Sequence, residues 1–279
     1  PPYLESGGGG TRNMYKWGFS LVAKWSSHMT PLDAVIWDIS PGSIGNIAAE
    51  DLPARFEDYP SFYNETEGGD IGEVHDINPS SGHPYPENLA RRGDDARVLA
   101  EFWADGPDSE TPPGHWFTIL NYVSDQPQLE KRFEGTGPEM DDLEWDVKAY
   151  FALGGAMHDA AISAWSIKGY YDYIRRFSAL RHMADQGFSA EGLRIAPGYI
   201  EKILFGDTLL QEYPDNQGDV KFYGWLQTSR FGNSQRSVGG VGWLLAKEWV
   251  PYQRPTFVTP PFAGYISGHS TFSSAAAEV

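Results

Sequence analysis

Apolar residues recur at intervals of three and four along most of this chain, which is the spacing of an amphipathic helix. The pattern predicts helices over 17–25, 94–105, 115–123, 141–165, 169–185, 196–204, 241–250 and 271–279. Runs that alternate between apolar and polar residues, as strands do, are few. We therefore expect a mainly α protein built as a helical bundle.

The predicted helices are unevenly distributed along the chain. Between residues 1 and 85, Pro, Gly, Asp and Asn recur too often for long elements, apart from the helix over 17–25. From residue 86 the helical pattern dominates. The sequence thus predicts a loop-rich N-terminal region, 1–85, followed by an α-helical domain, 86–279.

Charge is also unevenly distributed. The formal net charge is −17, and residues 50–147 hold 24 Asp and Glu against 6 Lys and Arg. Such an acidic surface repels nucleic acid and anionic lipid, so we expect neither as a partner. No apolar run approaches the length of about 20 residues that a transmembrane helix needs, so we expect no membrane span. The chain has no cysteine, which excludes disulfides, thiol catalysis and zinc–thiolate sites.

An anion site is predicted near the C-terminus. Lys247 is followed after six residues by Arg254-Pro255, and Ser267-Gly268-His269 opens the helix predicted over 271–279. The start of a helix exposes backbone N–H groups that favour an anion. A guanidinium, an ammonium and a hydroxyl would add donors for a tetrahedral oxyanion, and an imidazole can move a proton near neutral pH. Each feature alone is common, but their order along the chain predicts an oxyanion site with an acid–base group.

This set of residues resembles the first two motifs of the vanadium-dependent haloperoxidases, which are relatives of the type 2 phosphatidic acid phosphatases. Two upstream segments, 102–116 and 156–181, also resemble haloperoxidase segments, so that the likeness extends over about 95–279. The resemblance implies a helical bundle of the haloperoxidase and acid phosphatase type, with vanadate as the cofactor.

The resemblance also implies a role for each matching residue. The vanadate oxygens would be held by the following residues: Lys247, Arg254, Ser267, Gly268 and His269. Lys247 would also polarise the peroxide, and His269 would be the acid–base residue. Phe262 would line the halide region, and Asp159 would pair with an anion-binding arginine. For Asp159 a solvent-facing helical position is the alternative.

Two features depart from the family pattern. Ile266 precedes Ser267 where the family often has proline. The third motif, Ser-Arg with a later His that ligates vanadium directly, does not occur among residues 270–279. We therefore expect the gene product to continue beyond this sequence, and the helical domain to be incomplete here.

The sequence favours a vanadate-dependent haloperoxidase that uses hydrogen peroxide to oxidise halide to a hypohalous-acid-like species, which halogenates small organic substrates. Two alternatives stay open: a soluble acid phosphatase on the same oxyanion cradle, and a non-catalytic structural subunit with a decayed site. The acidic side chains over 139–146 could instead hold calcium, although they lack an EF-hand pattern. Halide preference and oligomeric state, including a homo-oligomer, are left open, and a secreted or periplasmic location is favoured.

Overall fold

The computed structural model describes residues 10–43, 50–55, 58–62, 74–78, 81–102, 109–188, 198–226, 240–253 and 259–279. The helices are α1 (Gly10–Ser27), α2 (Tyr59–Phe62), α3 (Arg92–Phe102), α4 (Pro112–Ser124), α5 (Asp142–Tyr171), α6 (Arg176–Asp185) and α7 (Gly268–Ala277). The strands are β1 (Ile36–Asp38), β2 (Leu89–Arg91), β3 (Ile200–Lys202), β4 (Val220–Leu226) and β5 (Gly240–Leu245).

The chain divides into two compact units, which are described separately. The helical unit consists of the described residues of Phe102–Arg175 and Thr256–Val279. The mixed unit consists of the described residues of Pro2–Glu101 and Arg176–Pro255. The expected boundary after residue 85 stays a prediction.

In the helical unit, α4, α5 and α7 pack together. Helix α5 begins where Asp141 caps it, with its carboxylate accepting from the Glu144 N–H at 2.8 Å. Leu153, Met157 and Phe272 are buried at the centre of this unit, and small residues of α5 and α7 allow the helices to approach closely. Burial of this apolar stripe, rather than propensity alone, stabilises helices of this kind.

In the mixed unit, β3, β4 and β5 form an antiparallel sheet in which Phe222 lies opposite Leu244. Helix α1 packs on β4 and on α6. A second antiparallel pair joins β1 to β2. The side chain of Phe222 is 1% exposed and its ring centroid lies 5.3 Å from that of Trp249. The core of this unit is therefore built from strands as much as from helices.

The expectation of a mainly α fold is correct only in part, because about half of the described residues are helical and the rest include these sheets. The helix predicted over 241–250 is wrong: those residues form most of β5 and then a 3-10 turn, Ala246–Glu248. Gly240 and Gly242 weaken a helix there, and pairing with β4 satisfies the backbone instead. In the range predicted as a helix over 196–204, residues 200–202 form β3.

Other predicted helices needed smaller corrections. Helix α5 continues six residues past its predicted end at 165, to Tyr171. The helix predicted over 169–185 is interrupted, because Asp172 adopts a left-handed conformation, φ 41°, and α6 begins only at Arg176. On α3, two of the apolar residues whose spacing predicts this helix, Val98 and Leu99, are exposed.

Among the described helices, none combines the length and the apolar character needed to cross a bilayer.

Candidate functional site

The second predicted motif lies at the start of α7. Ser267 is the N-cap of this helix, and its hydroxyl oxygen accepts from the Ser270 N–H at 3.3 Å and from the Ser270 hydroxyl at 3.0 Å. Gly268 is the first helical residue and His269 the second. The sequence-based placement of a helix N-terminus at this motif is therefore correct, with α7 beginning three residues earlier than predicted.

Gly268 brings the backbone close to an aromatic ring. A Cβ atom at this position would lie 3.2 Å and 3.3 Å from two ring carbons of Trp165, a residue of α5. The start of α7 is thus packed against α5 at a distance that a larger residue would disturb. A helix start of this kind, with a serine hydroxyl beside it, offers donors that suit an oxyanion.

The loop before this motif carries Phe262, the residue predicted to line the halide region. Its side chain is partly exposed, and its ring centroid lies 5.2 Å from that of Trp165. Two cationic side chains of the helical unit, Lys168 and Arg175, lie within 5.2 Å and 5.1 Å of the same ring centroid. The surroundings of Phe262 are therefore aromatic and positively charged.

The first predicted motif begins in the mixed unit. Lys247 lies in the 3-10 turn that follows β5, and its ammonium donates to the Asp219 carboxylate at 3.0 Å. Hydrogen bonds to Asp219, from the Asn216 amide first and from Lys247 second, hold the pKa of that carboxyl below its usual value. Asp219 is therefore charged near neutral pH and competes for the ammonium that an oxyanion would need.

The turn that carries Lys247 is fixed by α6. The Arg181 guanidinium donates to the carbonyl oxygen of Trp249 at 3.0 Å and reaches that of Glu248 at 3.5 Å. Tyr213 donates its hydroxyl proton to the Glu248 carboxylate at 2.9 Å. Residues far away in sequence, on α6 and in a loop, therefore hold the turn that carries Lys247 in place.

For two of the predicted site residues, the structure does not show the contacts that their predicted roles require. Arg254 lies outside the described residues. Asp159 lies on α5 with its side chain 85% exposed, and its carboxylate faces His158 Nδ1 at 3.3 Å. The structure thus shows Asp159 at a solvent-facing position, and its pairing with an arginine stays a prediction.

The acidic residues considered for calcium have other partners. The Asp142 carboxylate accepts from Lys131 at 2.6 Å, and that of Glu144 accepts from Lys148 at 2.6 Å. Within the described part of the chain, no three His, Asp or Glu side chains group in a way that could hold a metal ion.

Sequence reasoning missed four residues near the predicted motifs: Lys168, Arg175, Arg181 and Asp219. Each contacts a motif-bearing segment that is 28 to 95 residues away in sequence. Of these, Lys168 left a sequence signal, because it occupies a position on the buried face of α5 where an apolar residue is expected.

Residues 218–279 match the family model of the VCPO second helical-bundle domain. The matched segment contains both predicted motifs and Phe262. No curated protein and no solved structure matches the chain. Through residues 218–279, this chain is related to the vanadium haloperoxidases.

Proposed function

We propose that this protein is a vanadate-dependent haloperoxidase, which uses hydrogen peroxide to oxidise halide to a hypohalous-acid-like species that then halogenates small organic substrates. The observation that carries the proposal is the joint occurrence, inside the matched segment 218–279, of Lys247-x6-Arg254 and of Ser267-Gly268-His269 at the start of α7. A haloperoxidase relationship alone would leave open whether the chain keeps its anion-binding residues.

The residue types of the two motifs would suit a tetrahedral oxyanion such as vanadate. Ser267 and the first amide groups of α7 would supply hydrogen bonds, and Lys247 and Arg254 would supply positive charge. Bound vanadate would supply a Lewis-acidic centre that activates peroxide without a redox change at the metal. Lys247 and Arg254 would neutralise the negative charge of the oxyanion and of the bound oxidant.

The remaining residues would handle the proton and the halide. The imidazole of His269, the second residue of α7, would give and take the proton that peroxide binding and product release require. Phe262 would exclude water on the side from which the halide approaches, and its ring would favour a weakly hydrated anion beside the nearby cations. When an oxyanion binds, the Lys247 ammonium would have to break its hydrogen bond to Asp219 or donate to both the oxyanion and Asp219.

The test is an assay of the product of the complete reading frame with vanadate, hydrogen peroxide and each halide in turn. We expect halide oxidation that depends on vanadate. Lys247→Ala and His269→Ala should each lower the rate by about 100-fold or more, because each removes a group that stabilises charge or moves a proton. Lys202→Ala, which removes an exposed lysine of β3, is the matched control and should leave the rate unchanged.

A phosphate-ester assay on the same protein separates this proposal from an acid phosphatase. Phosphate and vanadate share their geometry, so the oxyanion donors would accept either. Hydrolysis of the ester without halide oxidation would overturn the haloperoxidase assignment. Unchanged turnover in the His269→Ala variant would remove that residue from the site.

A further inference from the structure

The buried stripe of α5 ends in a charged residue. Its members follow helical spacing: Leu153, Met157, Ala160, Ala164 and Lys168. Lys168 is only 5% exposed. An ammonium removed from water is costly unless charged or polar partners replace its hydration, so its partners indicate what this cation does.

Lys168 binds the loop that leads to the start of α7. Its Nζ donates to the carbonyl oxygen of Ala263 at 2.9 Å. The same atom lies 5.2 Å from the ring centroid of Phe262 and 5.7 Å from that of Trp165. A cation near the faces of two aromatic rings is attracted by their quadrupoles. Lys168 therefore contacts the loop through both its backbone and its aromatic side chain.

A second cation holds the neighbouring residue of the loop. The Arg175 Nη1 donates to the carbonyl oxygen of Phe262 at 2.8 Å, and its guanidinium carbon lies 5.1 Å from the Phe262 ring centroid. Both hydrogen bonds join a charged donor to a backbone acceptor, which makes them stronger than neutral ones.

A third tie is formed by backbone alone. The Gly264 N–H donates to the Tyr173 carbonyl oxygen at 2.8 Å. A Cβ atom at Gly264 would lie 2.8 Å from the Ile174 carbonyl oxygen, so only glycine allows this approach without a shift of the backbone. Three consecutive loop residues are thus bonded to the segment that ends α5 and follows it.

We propose that Lys168 and Arg175 are positioning residues that clamp the Phe262–Gly264 loop and so fix the Phe262 ring on the halide side of the proposed site. This inference rests on the proposed function, because it takes the halide role of Phe262 from there. Neither residue needs to touch the oxyanion. Both act through the carbonyl groups and the ring of the loop.

Hydrogen exchange tests the clamp without any cofactor. In Lys168→Met the stem is kept and the ammonium is lost, so the amide of Gly264 and its neighbours should exchange about tenfold faster than in the parent. Arg175→Gln should act in the same direction. Lys148→Met is the matched control: it removes another lysine of α5 whose ammonium pairs with Glu144 of the same helix, and it should leave exchange in the loop unchanged.

Kinetics then connect the clamp to the halide. With vanadate and peroxide saturating, Lys168→Met should raise the KM for halide about tenfold while kcat changes much less, because the loss is in the positioning of Phe262. Lys168→Arg should recover part of the lost halide affinity. The Kd for vanadate, measured by direct titration of the metal-free protein, should not change.

Three outcomes contradict the proposal in different ways. Unchanged exchange in both Lys168→Met and Arg175→Gln would show that the loop is not clamped by these residues. Faster exchange with a lower kcat and an unchanged halide KM would show a merely structural role. A parent protein that oxidises no halide, but whose loop exchange still depends on Lys168, would refute the proposed function and leave the clamp itself standing.

Discussion

The two units reach buried cores by different means. The helical unit places apolar and small residues of α4, α5 and α7 against one another around Leu153, Met157 and Phe272. The mixed unit also buries a pair of opposite charges: the Arg92 Nε atom lies 2.7 Å from a carboxylate oxygen of Asp33, and these side chains are only 8% and 9% exposed. The buried Lys168 of the helical unit is bonded to a carbonyl oxygen and lies near aromatic rings, whereas the mixed unit depends on an ion pair that must stay intact.

This difference has a physical consequence for mutations. Removing an apolar group leaves a cavity that neighbours can partly fill. Removing one member of a buried ion pair leaves a charge in a medium of low polarity with nothing to neutralise it. We therefore expect loss of one member of the buried ion pair to destabilise the mixed unit at least as much as an apolar truncation destabilises the helical unit.

The largest expected effect is the loss of the buried pair. Burial by itself would raise the pKa of Asp33, but the hydrogen bonds from Arg92 and from the Val35 N–H, together with the charge of Arg92, outweigh it, so the pKa lies below its usual value. Asp33→Ala should lower the free energy of unfolding by about 3–5 kcal/mol, because the buried Arg92 guanidinium loses the carboxylate that neutralises it. Chemical denaturation measures the loss.

Asp58→Ala provides the control for this experiment. Asp58 pairs with Arg55 at 2.9 Å, but the two side chains are 47% and 66% exposed. An exposed pair of this kind contributes about 0–1 kcal/mol. If both variants lost the same free energy of unfolding, the buried pair would stabilise the mixed unit no more than an exposed pair does.

The next effect concerns the packed core of the helical unit. Leu153 is 5% exposed and contacts the cluster around Phe272. Leu153→Ala should lower the free energy of unfolding by about 2–5 kcal/mol through lost burial and the cavity left behind. Leu143→Ala, at a position of the same helix that is 74% exposed, should change it by about 0.5 kcal/mol or less. Exchange of amides in α4 and α7 should rise in the first variant alone, and a similar rise in the second would contradict the assignment of the core.

The sequence could predict those elements that depend on local information. The existence of α1, α3, α4, α5 and α7 follows from apolar spacing within single segments, which is local information. Strand β5 could not be recognised in this way, because its apolar run suits either a helix or a buried strand. Only pairing with β4, across the intervening residues, decides between them.

The candidate site likewise has parts that are encoded locally and parts that depend on long-range contacts. The start of α7 at Gly268 is encoded by Ser267 as its cap, so the motif and its local structure were predicted together. The partners of the two motifs were not, since Lys168 reaches Ala263 across 95 residues and Asp219 reaches Lys247 across 28. Contacts of this range depend on the packing of whole elements, which spacing along the chain does not reveal.

The last effect we predict is a pH dependence in the mixed unit. Burial first, and then the positive charge of Arg92, lower the pKa of His28 from 6.5 to about 4, while Asp33 opposes the shift and Lys24 adds to it. The folded protein therefore keeps this imidazole neutral where the unfolded chain takes up a proton. Stability from this source is complete above pH 6.5 and is lost as the pH falls toward about 4.

Denaturation curves measured between these two pH values test the sign. The loss through His28 has a slope of at most about 1.4 kcal/mol per pH unit, because a single proton is involved. His28→Gln should flatten the slope, whereas His83→Gln, at an exposed position, should leave it as in the parent. The Asp33–Arg92 pair also contributes to the stability of the folded protein. Because the pKa of Asp33 is lowered, this contribution is lost only at a lower pH, below the usual carboxyl range. A parent slope that His28→Gln does not change would contradict this role of His28, because the buried ion pair loses its contribution only below this pH window.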